Sequence, residues 1–372
     1  MYPITYYKTY YCSLLTKKRS FDDKMKRQEY PLMVVLLLFV AVSFIPPVVN
    51  AQEEPNLKIA VAIAPLGGIV ERVGGGYLDI SVILPEGVEP HASQLPTEAV
   101  QSASQADLLV FTGHFPWESQ LEAQTDVPYI TLHDSDALED YSDYGAELSP
   151  IPRIGEEAGL NPHAWWLLPS NAAAIANTTA VALGQIEPDY SDYWNLQLNT
   201  FLSDLESFLT LVENEKEAYS LTSISAIGVF PAEAYVAEAF GLEIVTILQE
   251  EGTFVSGTEL AEVENALANG SVDVIIGSDV ARLQNAGEFA QQLAEDYGAR
   301  LIWIRGIFFE GLADYLSIMS YNLGAITSGL ESTDSLLGES NTINLVLIAA
   351  VSVLGIIAVT EGVLLYQKSK AE

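Results

Sequence analysis

The chain has 372 residues, 16 basic and 50 acidic, for a formal net charge of −34 at pH 7. That acidity excludes a phosphate-binding groove, because nucleic acid is held mainly by Lys and Arg. A single cysteine, Cys12, excludes an internal disulfide framework and any zinc module needing two thiolates. Hydrophobic residues at 49% and charged residues at 18% describe a folded protein with a sizeable core, of two or three domains by length.

Two apolar runs frame the chain. The first, residues 32–45 (LMVVLLLFVAVSFI), follows Lys24, Lys26 and Arg27 and precedes Val49-Asn50-Ala51. A cationic start, a short apolar stretch and a small residue at the cut describe a secretory signal, residues 1–51, cleaved after Ala51. Residues 1–24 fit poorly in front of it, and Met25 is the expected start. The second run, residues 343–366 (INLVLIAAVSVLGIIAVTEGVLLY), is followed by Lys368 and Lys370. As a helix it measures about 36 Å against a hydrocarbon core of about 30 Å. The basic flank puts the tail 367–372 in the cytoplasm and everything before the run outside. The expectation is a single-pass protein of the cell membrane with an extracellular ectodomain, joined to its anchor by a polar linker, 331–342. Within the ectodomain the basic residues are only Lys58, Arg72, Arg153, Lys216, Arg282, Arg300 and Arg305. Such a surface attracts cations generally and stays soluble in salt.

The ectodomain opens with LKIAVAIAPLGGIV from Leu57, a buried strand turning into a helix. Strands follow at Tyr77–Leu84 and Ala106–Thr112, with a polar helical stretch between them. The rhythm returns at Ile224–Val229, Glu243–Leu248, Val272–Ile276 and Arg300–Ile304, separated by helical patterns that include Glu259–Ala268 and Glu288–Tyr297. Strands alternating with helices imply parallel sheets covered on both faces. Between the blocks lie an Ala-rich helix, Ser170–Leu183, and a long one opened by Pro188. In the second, Trp194, Leu198, Phe201, Leu205, Phe208, Leu209 and Val212 recur at three- and four-residue steps. The predicted fold is α/β: an N-terminal lobe, 52–187, a backbone helix, 188–219, and a C-terminal lobe, 220–330. Ligands in such proteins sit at the carboxyl ends of strands, here between the lobes. Asn177-Thr-Thr and Asn269-Gly-Ser are glycosylation sequons, for which chance occurrence is as good an account as use.

All four histidines fall in the first lobe. His91 lies in LPEGVEPHASQLP, His114 in FTGHFPWE, His133 in TLHDSDALEDYSDYG and His163 in NPHAWWLLPSN. A proline precedes both His91 and His163, bringing each in from an extended segment. His114 follows the third strand, so its side chain should emerge on the same rim as His91. His133, among many carboxylates, reads as a solvated loop residue. No P-loop, GxSxG elbow or HExxH motif is present, which counts against enzyme readings, although three histidines with an open position also describe a hydrolytic zinc site.

These phrases resemble the metal-binding solute receptors of zinc and manganese ABC uptake systems. The likeness rests on Pro90-His91, on ADLLVFTG at 106–113 and on Pro162-His163-Ala-Trp. It continues through PDYSDY at 188–193 and AEAFGL at 237–242 to YLSIMSYNL at 315–323, covering roughly residues 57–328. It implies two α/β lobes joined by one helix, no catalysis, a divalent ion (Zn²⁺, Mn²⁺ or another transition metal) as cargo, an ABC permease as partner and a monomer. It also implies two second-lobe ligands, but the corresponding positions hold Phe230 and Arg305. A phenyl ring cannot coordinate a metal, and a guanidinium opposes a cation by several kcal/mol at about 4 Å if the effective dielectric is about 20.

Three outcomes stand open at this point. His114 joins His91 and His163 as a third imidazole ligand, with Glu118 either ligating or orienting a ring. Alternatively, Arg305 pairs with an acid such as Glu233 or Asp279, or with an anionic ligand or a metal chelate. Finally, the fold survives as a surface or adhesion protein that carries nothing.

Overall fold

The computed structural model describes residues 56–85, 87–88, 90–91, 95–153, 159–307 and 314–331. The predicted signal segment, its cleavage site, Cys12, nearly all of the polar linker and the anchor 343–366 lie outside the described residues. Among the described residues, no helix is long and apolar enough to cross a membrane.

The first sheet is built from β1 (Leu57–Val61), β2 (Leu78–Val82), β3 (Leu108–Val110), β4 (Tyr129–Thr131) and β5 (Glu139–Asp140). All pairings are parallel and the spatial order is β2-β1-β3-β4-β5. The connecting helices are α1 (Ala64–Gly74), α2 (Thr97–Ser104) and α3 (Pro116–Gln124). Ile59, Val61, Leu108, Leu109 and Val110 have no exposed surface, as expected for strands covered on both faces.

Two helices follow, α4 (Pro169–Ile186) and α5 (Ser191–Tyr219). Pro188 opens a short 3₁₀ turn, Pro188–Tyr190, rather than the long helix itself. Six of the seven apolar residues expected on one face of α5 are buried; Leu209 is 38% exposed. It lies beside Phe208, which already occupies the inward position on that turn. Arg72 of α1 pairs with Asp204 of α5 and lies 3.6 Å from Asp314, ahead of the final helix.

The second sheet contains β6 (Ser225–Gly228), β7 (Glu243–Ile247), β10 (Val274–Ser278) and β11 (Arg300–Ile304), in the order β11-β10-β6-β7 and again all parallel. Its helices are α6 (Glu233–Phe240), α7 (Gly257–Ala268) and α8 (Asn285–Tyr297). A small hairpin, β8 (Gln249–Glu250) with β9 (Thr253–Phe254), leaves the end of β7, and the final helix, α9, covers 315–331. One face of this sheet joins the core of the first sheet through Val274, Ile276, Ile302 and Ile304. The other packs on α7 and α8 through Ile227, Ile275, Val263 and Leu293. The two parallel sheets thus share a continuous apolar core.

Each sheet reverses its strand order once, between β1 and β3 in the first and between β6 and β10 in the second. Such reversals leave a crevice at the carboxyl ends of the strands.

Candidate metal centre

A cavity of about 490 Å³ occupies that position. The first lobe contributes His91 after β2, His114 and Phe115 after β3, and His163, Ala164 and Trp166 ahead of α4. The second contributes Phe230–Ala232 after β6, Gln249, Glu251 and Gly252 after β7, Ser278 and Val280 after β10, Gln284, and Gly306 and Ile307 after β11.

One ring nitrogen from each of His91, His114 and His163 lies within 4.8 Å of the other two. His91 Nε2 and His114 Nε2 are 3.0 Å apart. A tetrahedral zinc ion with Zn–N bonds of about 2.05 Å holds its nitrogens ~3.3 Å apart. The rings need only small adjustments to meet one ion. His133 is elsewhere: it is exposed, in a left-handed turn with φ 63°, and its backbone N–H donates to Asp140 Oδ1.

Each ring is fixed locally. The Pro90 carbonyl ahead of His91 accepts from the indole N–H of buried Trp117 at 3.0 Å. His114 sits on a loop wrapped around Glu118, whose carboxylate accepts from the backbone N–H groups of Thr112 (2.7 Å), His114 (3.0 Å) and Phe115 (3.2 Å) and from the Thr112 hydroxyl. The turn requires Gly113: its φ is 75°, and a Cβ there would stand 2.6 Å from the Leu132 carbonyl oxygen. His163 donates twice to Asn161 Oδ1, from its backbone N (3.0 Å) and from Nδ1 (3.3 Å). Because a carboxamide oxygen only accepts, Nδ1 carries the proton and the Nε2 lone pair is left for an ion.

The protonation states suit this arrangement. Burial, reinforced by the nearby charge of His163 and then of His91, lowers the His114 pKa to about 3. Burial, then His91, lowers that of His163 to about 4. Both rings are neutral at neutral pH and present lone pairs without first losing a proton.

The three candidate acids have other partners. Glu118 is buried and caps the His114 loop; it accepts from the backbone of His114 rather than from its imidazole. Glu233 is fully buried and accepts from Phe230 N at 2.7 Å and Ser278 N at 2.6 Å, tying together the ends of β6 and β10. The pKa of each carboxyl is pushed up to about 7 by burial, against the downward pull of these hydrogen bonds. Asp279 Oδ1 accepts from Val280 N (3.0 Å) and Gly306 N (3.1 Å), fixing the loop after β11. Phe230 lines the cavity. Arg305 is not among the lining residues: its guanidinium lies 5.5 Å from the ring centroid of Tyr321 on α9, and its backbone exchanges hydrogen bonds with Asn322. The cationic opposition expected at that position is thereby directed onto an aromatic face.

The sequence does not single out Asn161. Asn161 has no exposed surface, and its Nδ2 donates to the Pro231 carbonyl at 2.8 Å. Its own carbonyl accepts from the Tyr235 hydroxyl at 2.6 Å. The Trp166 indole donates to the Gly306 carbonyl at 3.3 Å. The lobes are stitched together beside the histidines, and the only hint was the Asn-Pro-His-Ala-Trp-Trp string itself. The sequon asparagines lie apart. Asn177 is inside α4, donating to the Ala173 carbonyl, with Thr179 buried; Asn269 caps the C-terminus of α7.

Comparison with known proteins agrees with this architecture. Residues 59–329 match the family model described as zinc-uptake complex component A, periplasmic. The metal ABC transporter substrate-binding lipoprotein SsaB of Streptococcus sanguinis is 25% identical over 306 residues, covering 75% of this chain and 91% of that one. The manganese ABC transporter substrate-binding lipoprotein PsaA of Streptococcus pneumoniae is 23% identical over 324 residues, covering 80% and 97%. A crystal structure of ZnuA superposes with a TM-score of 0.61 at 22% identity, covering 74% of this chain and 99% of that one; at that identity the likeness shows the fold. The family match spans both sheets and all three clustered histidines, and the chain belongs to the zinc-uptake component A family of metal-binding solute receptors that serve ABC importers.

Proposed function

We propose that this receptor captures one divalent transition-metal ion, zinc-like in its preference, on His91, His114 and His163 and passes it to an ABC permease in the membrane. The convergence of three ring nitrogens within 4.8 Å at one end of the cavity carries the reading. A set of neutral imidazoles selects Zn²⁺, Cu²⁺ or Ni²⁺ over Mg²⁺ and Ca²⁺, which favour oxygen. The buried hydrogen bonds from Asn161 and Trp166 across the lobes, with the shared core, favour a small closure around the ion over a wide hinge. The lobe limits 52–187, 188–219 and 220–330 belong to the same reading.

The chain is held at the outer face of the membrane by the apolar run 343–366, which raises its effective concentration at the permease. SsaB and PsaA are lipoproteins, a class tethered through a lipidated cysteine. Here the one cysteine, Cys12, precedes the apolar run 32–45 rather than following it, which favours a protein anchor over a lipid one.

Titration calorimetry of chelator-treated full-length chain with zinc chloride tests the capture step. The expected isotherm shows one ion per chain and is abolished by His91→Ala and by His163→Ala. Absence of heat with zinc, manganese, nickel and copper alike would assign the fold to a non-transporting surface role.

A further inference from the structure

The histidines occupy one side of the cavity, and the wall opposite offers neither of the ligands that the family resemblance implies, since Phe230 and Arg305 stand at those positions. An ion on three neutral imidazoles keeps its full charge, and desolvating it in an apolar pocket is costly unless an anion is supplied. Among the described residues lining the cavity, the single acid is Glu251. We propose that Glu251, at the tip of the β8–β9 hairpin, is the second-lobe ligand that completes the site. This inference rests on the metal-receptor reading above.

The hairpin is placed for the task. Leu248 N and Gln249 N donate to the carbonyls of Gly228 and Val229 at 2.9 and 3.0 Å. These bonds carry the chain beyond β7 alongside β6 and start the hairpin next to Phe230. Gln249 and Glu251, on either side of Glu250 in the chain, both line the cavity. Glu250 does not line it and pairs instead with Arg153 on the first-lobe segment, which holds the hairpin from its far side.

Two further observations point to a ligand here. Gln249 lines the same cavity, is 7% exposed, and its buried Oε1 has no hydrogen-bond partner. A cation, or water bound to one, is the kind of partner such an oxygen requires. Glu251 itself holds φ 45°, followed by Gly252 at φ 80°. A two-residue turn with both centres at positive φ favours Asn or Asp followed by Gly, so a glutamate is held there against local preference, as happens at functional sites. Among the described acids, histidines and cysteines, the histidines alone form a mutually close donor group. The carboxylate therefore reaches the ion by a swing of this turn, which supplies the small closure.

Zinc chloride, competed against a chromophoric chelator on the full-length chain in detergent, tests the assignment. Glu251→Gly removes the carboxylate and suits the turn. Its expected zinc affinity is at least about tenfold lower, a lower bound set by losses from groups that merely support metal ligands, while its metal-free melting temperature is equal to or above wild type. Glu251→Gln should weaken binding similarly. Glu259→Gln, an exposed acid on α7 that does not line the cavity, should leave zinc affinity unchanged. Cobalt(II) loading adds a direct readout, since losing an oxygen ligand shifts the visible d–d bands in both Glu251 variants. Wild-type affinity in those variants, or an equal loss in Glu259→Gln, would overturn the role of Glu251 while leaving the histidine site standing. A wild-type chain that binds no zinc would overturn both.

Discussion

Asn161 accepts two hydrogen bonds from His163, at the backbone N and at Nδ1, while donating to Pro231 of the opposite lobe. One buried carboxamide therefore sets the tautomer of a candidate ligand and joins the two walls of the cavity. Asn161→Ala should lower zinc affinity about 10- to 100-fold, as loss of an orienting partner does. It should also cost about 1–3 kcal/mol by leaving the Pro231 carbonyl without its donor. Zinc calorimetry and urea unfolding of the same variant give the two numbers; an unchanged affinity would mean that His163 does not need this partner.

Glu118 plays a corresponding part for His114. Glu118→Gln turns an acceptor-only group into one that presents an NH₂ to the N–H groups of Thr112, His114 and Phe115. The expected cost is about 1–3 kcal/mol of stability, read by urea unfolding. Zinc affinity should fall as well, because the loop carrying His114 is released. A variant of wild-type stability and affinity would show that the cap is dispensable.

The pH dependence of metal-free stability has two opposing limbs. The folded pKa values of His114 and His163, about 3 and about 4, lie below the unfolded value of about 6.5. The unfolded chain therefore binds more protons between those values. Stability from these rings is fully present above about pH 6.5 and lost as pH falls toward 4 and then 3. For Glu118 and Glu233 the folded pKa of about 7 lies above the unfolded value of about 4.3. Their contribution is fully present below about pH 4.3 and lost as pH rises through 7. Urea unfolding across this range should show a loss on the acid side that His114→Ala reduces and a loss on the neutral side that Glu233→Gln reduces. For zinc, protons begin to compete with these two rings only near pH 4, well below the ordinary histidine range.

The fold was legible wherever burial imposed a long or repetitive pattern. Arg300–Ile304 is predicted and observed with the same bounds, and α5 shows its inward face at three- and four-residue steps. The three-residue β4 and two-residue β5 are too short to leave a period, and α3 has an apolar face too weak to separate it from a loop. The family resemblance points to His91 and His163 and strand order adds His114, but no local pattern reports which carboxylates are committed to backbone N–H groups. Glu118, Glu233 and Asp279 were therefore weighed as ligands or as partners of Arg305, although the structure uses them to brace loops. Asn161 and Gln249 act through contacts that close only in three dimensions, one with the opposite lobe and one at the end of a sheet.

X-ray absorption at the zinc edge of the metal-loaded chain tests the histidine cluster most directly. Three nitrogen neighbours at about 2.0–2.1 Å, with the outer scattering of imidazole rings, are the predicted result. An oxygen-only shell without imidazole scattering would contradict it.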